Sequence, residues 1–170
     1  MQILVPIARS FQLLFSIVVL GLSITLARQQ YYGKVPAETG YAAFTGALGI
    51  VVSLIGIAAL WVSSLSGIIV WVLDGVTSLA LMVAGIVYAV ALKGVSCSDP
   101  TDAWDNKLIS GGCTNDDVYG KVCRDGSYSG DGFGTIRSRC KRAEADCAFM
   151  FLAFAACACA LVASFLTRNK

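Results

Sequence analysis

The residues of this 170-residue chain that could do chemistry are seven cysteines, one acid set in an apolar run and one basic cluster. Cys97, Cys113, Cys123 and Cys140 lie in a polar stretch, whereas Cys147, Cys157 and Cys159 lie in an apolar one. The polar four contain no C-x-x-C pair, and the chain has no histidine, so a zinc site is a poor fit. An even number of cysteines in one polar loop of a membrane chain reads instead as disulfides formed in an oxidising compartment. Four cysteines allow three connectivities, and spacing does not choose among them. One of the three joins Cys97 to Cys140 across the ends of the stretch and Cys113 to Cys123 around a small inner loop. The apolar three read as small buried fillers. Cys157-Ala158-Cys159 lacks the C-x-x-C spacing of a thiol oxidoreductase.

Asp74 is the charged residue set deepest in the apolar sequence. Ionisable groups inside a bilayer are costly and face a protein interior, a cavity or the interface. On a helix starting at Ile68, Asp74 lies only about 9 Å along the axis, at ~1.5 Å per residue. Thr77 and Ser78, three and four residues on, are spaced to offer it local hydrogen bonds. This favours a structural or lipid-facing interfacial role. The alternative makes the chain a small transporter or channel accessory subunit that uses Asp74. Arg137, Arg139, Lys141 and Arg142 form a basic collar before the last apolar run. Such a collar either anchors a helix end or grips lipid phosphates, at about 1 kcal/mol per residue near an anionic surface. The loop acids assemble no calcium pattern, and GSYSGDGFG at 126–134 lacks the lysine and flanking elements of a phosphate cradle.

These residues need a scaffold, and composition decides what it is. The chain is 56% apolar and 14% charged, with a mean hydropathy of +0.71. Soluble domains run nearer ~45–50% and ~25%, and a chain this small could not bury the excess. The formal charge of +2 says little about partners. Outside one short run there is no concentrated basic face of the kind nucleic-acid binding needs, so no nucleic-acid partner is expected. No nucleophile–base pair or metal constellation can be assembled without histidine, so the reading is non-enzymatic, with no cofactor. Uncharged runs cover Ser10–Ala27, Thr39–Leu73, Gly75–Leu92 and Cys147–Thr167. A span takes about 20 residues, and the long second run is broken by SSLSG at 63–67. The expected fold is all-α: a four-transmembrane-helix bundle over residues 5–167. Its spans lie near 7–27, 41–62, 68–92 and 147–167, with a disulfide-bearing loop, 93–146, between helices 3 and 4. The first span reads as a retained helix and not a signal peptide, because Thr25-Leu26-Ala27 is a poor cleavage site.

Helices in lipid meet through small residues. Thr45, Gly49 and Ser53 supply such a stripe in the second span, Gly85 lies in the third, and Ala156 and Ala160 lie in the fourth. These are packing faces, with a homo-oligomer contact as their second use. On orientation two rules conflict. Counting lysine and arginine puts the large loop in the cytosol, whereas its four cysteines put it outside. The count loses force for loops near 60 residues in length, so the cysteines prevail and the termini are expected in the cytosol.

The stretch LDGVTSLALMVAGIVYAVALKGVSCS, then DNKLISGG, then SRCKRAEADCAF resembles the fungal non-classical export protein family. The matching residues are Asp74, Ala84-Gly85, Ser96-Cys97-Ser98, Asn106-Lys107 with Gly111, Arg139-Cys140-Lys141-Arg142, Ala148-Phe149, and Arg9 ahead of the first span. The resemblance implies a MARVEL-type four-span domain with cytosolic termini. It also implies residence in eisosome-type furrows of the plasma membrane, a link to sphingolipids, and an organising or sensing role. Unconventional secretion is the family's older label. Residues near 113–136 look like an insertion relative to the family, bringing the extra pair Cys113 and Cys123. The partners implied are membrane lipids, sphingolipids among them, and other membrane-domain proteins.

Overall fold

The computed structural model describes residues 4–30, 33–61, 68–99, 103, 106–116, 120–123 and 132–168. The SSLSG break at 63–67 lies outside the described residues. Four long helices carry the fold: α1 (Leu4–Arg28), α2 (Ala37–Ala58), α3 (Ile68–Ala91) and α4 (Gly132–Arg168). Each is long and apolar enough to cross a bilayer. The chain is thus a multi-pass membrane protein, a four-helix bundle with a cysteine pair in the region joining α3 to α4. Packing is cyclic: α1 lies against α2 and α4, and α3 lies against α4 and α2.

Local sequence sets the helix ends. Pro36 occupies the N-cap of α2, and Glu38 in the first turn complements the helix dipole. Beyond α3 the chain turns at Gly94, whose φ of +83° is a left-handed conformation that glycine adopts without strain. Asn106 in the following loop closes the same end. Its Nδ2 donates to the Ala91 carbonyl at 2.7 Å, and its Oδ1 accepts from the Leu108 N–H at 2.9 Å.

The bundle reverses the polarity of a water-soluble protein. Arg9, Gln12, Ser16, Ser23, Thr39, Thr45, Ser53, Asp74, Thr77, Arg139 and Asp146 are all buried. Phe11, Leu14, Phe44, Val51, Val76, Leu79, Val162 and Phe165 are exposed. Apolar side chains gain nothing inside over lipid tails, so polar ties and close backbone approach hold the helices together. The buried stripe of α2 is accordingly small: Ala42, Thr45, Gly46, Gly49, Val52, Ser53 and Gly56. A Cβ at Gly46 would lie 2.8 Å from the Leu20 backbone nitrogen, so α1 and α2 touch main chain to main chain. On the other side of the bundle, Gly85 seats the Phe151 ring of α4.

The helical bundle is the expected one, and the region between α3 and α4 adds two features to it. The insertion holds a short antiparallel hairpin, β1 (Cys113–Asp116) with β2 (Gly120–Cys123), where sequence suggested irregular loop. Its strands are four residues each and show no apolar alternation to reveal them. Helix α4 also starts at Gly132, well ahead of the last apolar run, and reaches 37 residues. The positions Ile136, Cys140, Ala143, Met150, Ala153, Cys157 and Ala160 are buried along it. That inner stripe runs without a break through the charged segment that reads as loop.

Candidate functional site: polar tiers inside the bundle

Near the chain termini, an ion pair crosses the bundle diagonally. Arg9 on α1 donates from Nη1 and Nη2 to the two carboxylate oxygens of Asp74 on α3. Both residues lie a few residues into their helices at the same end of the bundle, so the two charges meet at one depth. Helix α2 makes room for the guanidinium. A Cβ at Gly56 would sit 2.6 Å from Arg9 Cζ. Arg9 Nη1 also donates to Gln12 Oε1 at 3.0 Å, Gln12 Nε2 donates to Cys157 Sγ at 3.4 Å, and the Cys157 thiol donates to the Asp74 carbonyl at 3.4 Å. One connected network therefore joins α1, α3 and α4, with α2 supplying the gap.

This revises the local reading of Asp74. Its carboxylate is fully buried and bound by a cation from another helix. The Thr77 hydroxyl is buried without a partner, and Ser78 is buried on the same face. Asp74 does not face lipid. It neutralises Arg9, and a bidentate fork is the geometry that best repays the desolvation of both ions.

At the loop end the polar ties are of another kind. The Ser23 hydroxyl on α1 donates to Asp146 Oδ2 on α4 at 2.7 Å, while Asp146 Oδ1 has no partner. The Tyr88 hydroxyl on α3 donates to Thr39 Oγ1 on α2 at 3.4 Å. Above them, Arg139 turns inward. Its Nε donates to the Ile109 carbonyl at 2.6 Å, its Nη2 to the Ser110 carbonyl at 3.3 Å, and its Nη1 to the Gln29 carbonyl. One guanidinium thus fastens α4, the large loop and the end of α1. Cys97 and Cys140 lie beside it at disulfide-bonding distance, with Cα atoms 5.5 Å apart, and hold the loop to the head of α4.

The basic collar therefore divides. Arg137 and Lys141 are exposed and Arg142 is half-buried, but Arg139 is 1% exposed and is not available to lipid phosphates. Helical periodicity alone separates them, since successive side chains are about 100° apart around the axis. The stripe of Thr45, Gly49 and Ser53 is buried within the bundle, as is Ala160, with Ala156 half-buried. Thr45 and Ser53 hydroxyls donate back to the Ala42 and Ile50 carbonyls of their own helix. Cys113 and Cys123 are directly opposed in the hairpin register; their side chains lie outside the described residues. Sequence reasoning missed Gln12, Ser23 and Asp146 as members of interhelical networks. Their signal was a polar type recurring on the inner face of an otherwise apolar helix.

Residues 2–163 match the family model for MARVEL, the membrane-associating domain, and the chain belongs to that family. No curated protein and no solved structure matches the chain.

Proposed function

We propose that this MARVEL-family protein is a non-enzymatic organiser of lateral domains in the plasma membrane, of the eisosome type, and that it responds to sphingolipids. In this reading the termini are cytosolic and the cysteine-bearing loop faces outward. The observation that carries the reading is the distribution of polarity. Buried polar side chains tie helix to helix, as in Arg9 with Asp74, Ser23 with Asp146 and Tyr88 with Thr39, while large apolar side chains of all four helices are exposed. A protein built this way works through the lipid and the membrane proteins around it. Sensing requires two states with different lipid affinity, and the polar ties at the two ends are the contacts that such states would exchange.

Fluorescence localisation in the native cell, before and after sphingolipid depletion, tests the proposal. A patchy cortical signal that disperses on depletion supports it; a uniform or internal-membrane signal defeats it. The transporter alternative requires an accessible Asp74, whereas Arg9 occupies both of its carboxylate oxygens. Flux through purified protein in liposomes, abolished by Asp74→Asn, would restore that alternative.

A further inference from the structure

A cavity of about 330 Å³ opens at the loop end of the bundle, between the end of α1 and the first turns of α4. Gln29, Gly134, Thr135, Ser138 and Arg142 line it. Thr135, Ser138 and Arg142 follow one another at helical spacing, so two hydroxyls and a guanidinium share one face of α4. Gly134 lies in the first turn of α4, where the N–H groups of a helix have no intrahelical acceptor and the dipole favours an anion. Gln29 closes the α1 side of the cavity.

The local charge is net positive, with Arg137, Arg139, Lys141 and Arg142 set against Glu144 and Asp146. Arg139, one turn before Arg142, is buried and bonds only neutral carbonyls. Asp146, one turn after Arg142, is bound through Oδ2 to Ser23, and its Oδ1 has no partner, so it does not pair with Arg142. Among the described residues the ion pair is Arg9 with Asp74, at the other end of the molecule.

We infer that this cavity binds the phosphodiester headgroup of an anionic membrane lipid. Arg142 and the opening N–H groups of α4 receive the phosphate, and Thr135 and Ser138 donate to its oxygens. The apolar spans below place the cavity at the level where such headgroups lie. The inference rests on the membrane-association part of the proposed function and is independent of domain organisation in the cell.

The test uses the purified full-length protein in phosphatidylcholine nanodiscs doped with phosphatidylinositol, with retained lipid counted by native mass spectrometry. Arg142→Gln should lower phosphatidylinositol retention about tenfold, the scale of a lost charged hydrogen bond. The paired substitution Arg137→Gln with Lys141→Gln, on the exposed collar, should lower it no more than about threefold, since exposed charges act weakly. Ser138→Leu, which obstructs the cavity from an exposed position, should mimic Arg142→Gln and serves as the test if the arginine variant does not fold. Unchanged retention in the Arg142 and Ser138 variants overturns the inference. So does an equal loss in the collar variant, which would signify diffuse attraction. Full displacement of the lipid by millimolar inorganic phosphate would assign the cavity to a free anion and overturn the headgroup. Each of these results is read in vitro, so it leaves the cellular localisation test to decide the proposed function separately.

Discussion

The two ends of the bundle bury charge by opposite strategies. Near the termini, Arg9 and Asp74 neutralise each other in one bidentate contact across the diagonal. At the loop end, Arg139 and Asp146 are both buried on α4 and do not pair. One is held by three backbone carbonyls, and the other receives a single serine hydroxyl on one oxygen and nothing on the other. A charge pair fixes the helices relative to each other, whereas an arginine spread over carbonyls fixes chain segments that have no helix of their own. The first end is a tie between spans, and the second is a clamp on the loop. A loop that must hold its shape on the span ends needs such a clamp.

Breaking the diagonal pair should have the greatest effect. Arg9→Gln or Asp74→Asn leaves one buried charge without its partner and should cost about 3–5 kcal/mol. Unfolding in detergent, followed by heat or denaturant, measures the loss. Replacing both residues, as Arg9→Met with Asp74→Leu, should recover most of it. If the double variant is as unstable as the singles, the pair is not a simple tie.

The clamp end is tested through its covalent partner. Cys97→Ser with Cys140→Ser should cost about 2–4 kcal/mol, and non-reducing peptide mapping should recover Cys97 and Cys140 as one linked peptide. Free thiols at both positions would remove this element of the comparison.

Gly56→Ala asks whether the slot beside Arg9 is as tight as it looks. The added methyl should cost about 1–3 kcal/mol by overpacking. That cost should shrink in the Arg9→Met, Asp74→Leu background, because the two sites touch and their effects do not add. Ser23→Ala is the mildest change. It removes the donor to Asp146 and should cost on the order of 1 kcal/mol, read in the same unfolding experiment. An equal loss for Ser23→Ala and Asp74→Asn would erase the distinction between the two ends.

The four helices were legible in the sequence because each span is built on a long uncharged run, with Arg9 and Asp74 the charges near the ends of the first and third, and water-soluble folds rarely contain apolar runs of that length. The pairing of Arg9 with Asp74 was not. Each residue was conspicuous alone, but which helix lies across from which is decided by packing, and local spacing pointed to Thr77 and Ser78 instead. The early part of α4 was hidden because RSRCKRAEAD reads as polar loop. Its inner positions, Ile136, Cys140, Ala143 and Asp146, keep the helical period nevertheless. The collar was legible as a group of cations and illegible as a set of directions. Knowing that residues 137–142 are helical is enough to separate Arg139 from Arg137 and Lys141.

The length of α4 has a mechanical consequence. At ~1.5 Å per residue, 37 residues extend roughly 55 Å, against a hydrocarbon layer of roughly 30 Å. The surplus stands at the loop end, where the Cys97–Cys140 pair and Arg139 fasten the loop to it. The fourth span is thus the base of a mast, and whatever tilts that base swings the headpiece through a proportionate arc.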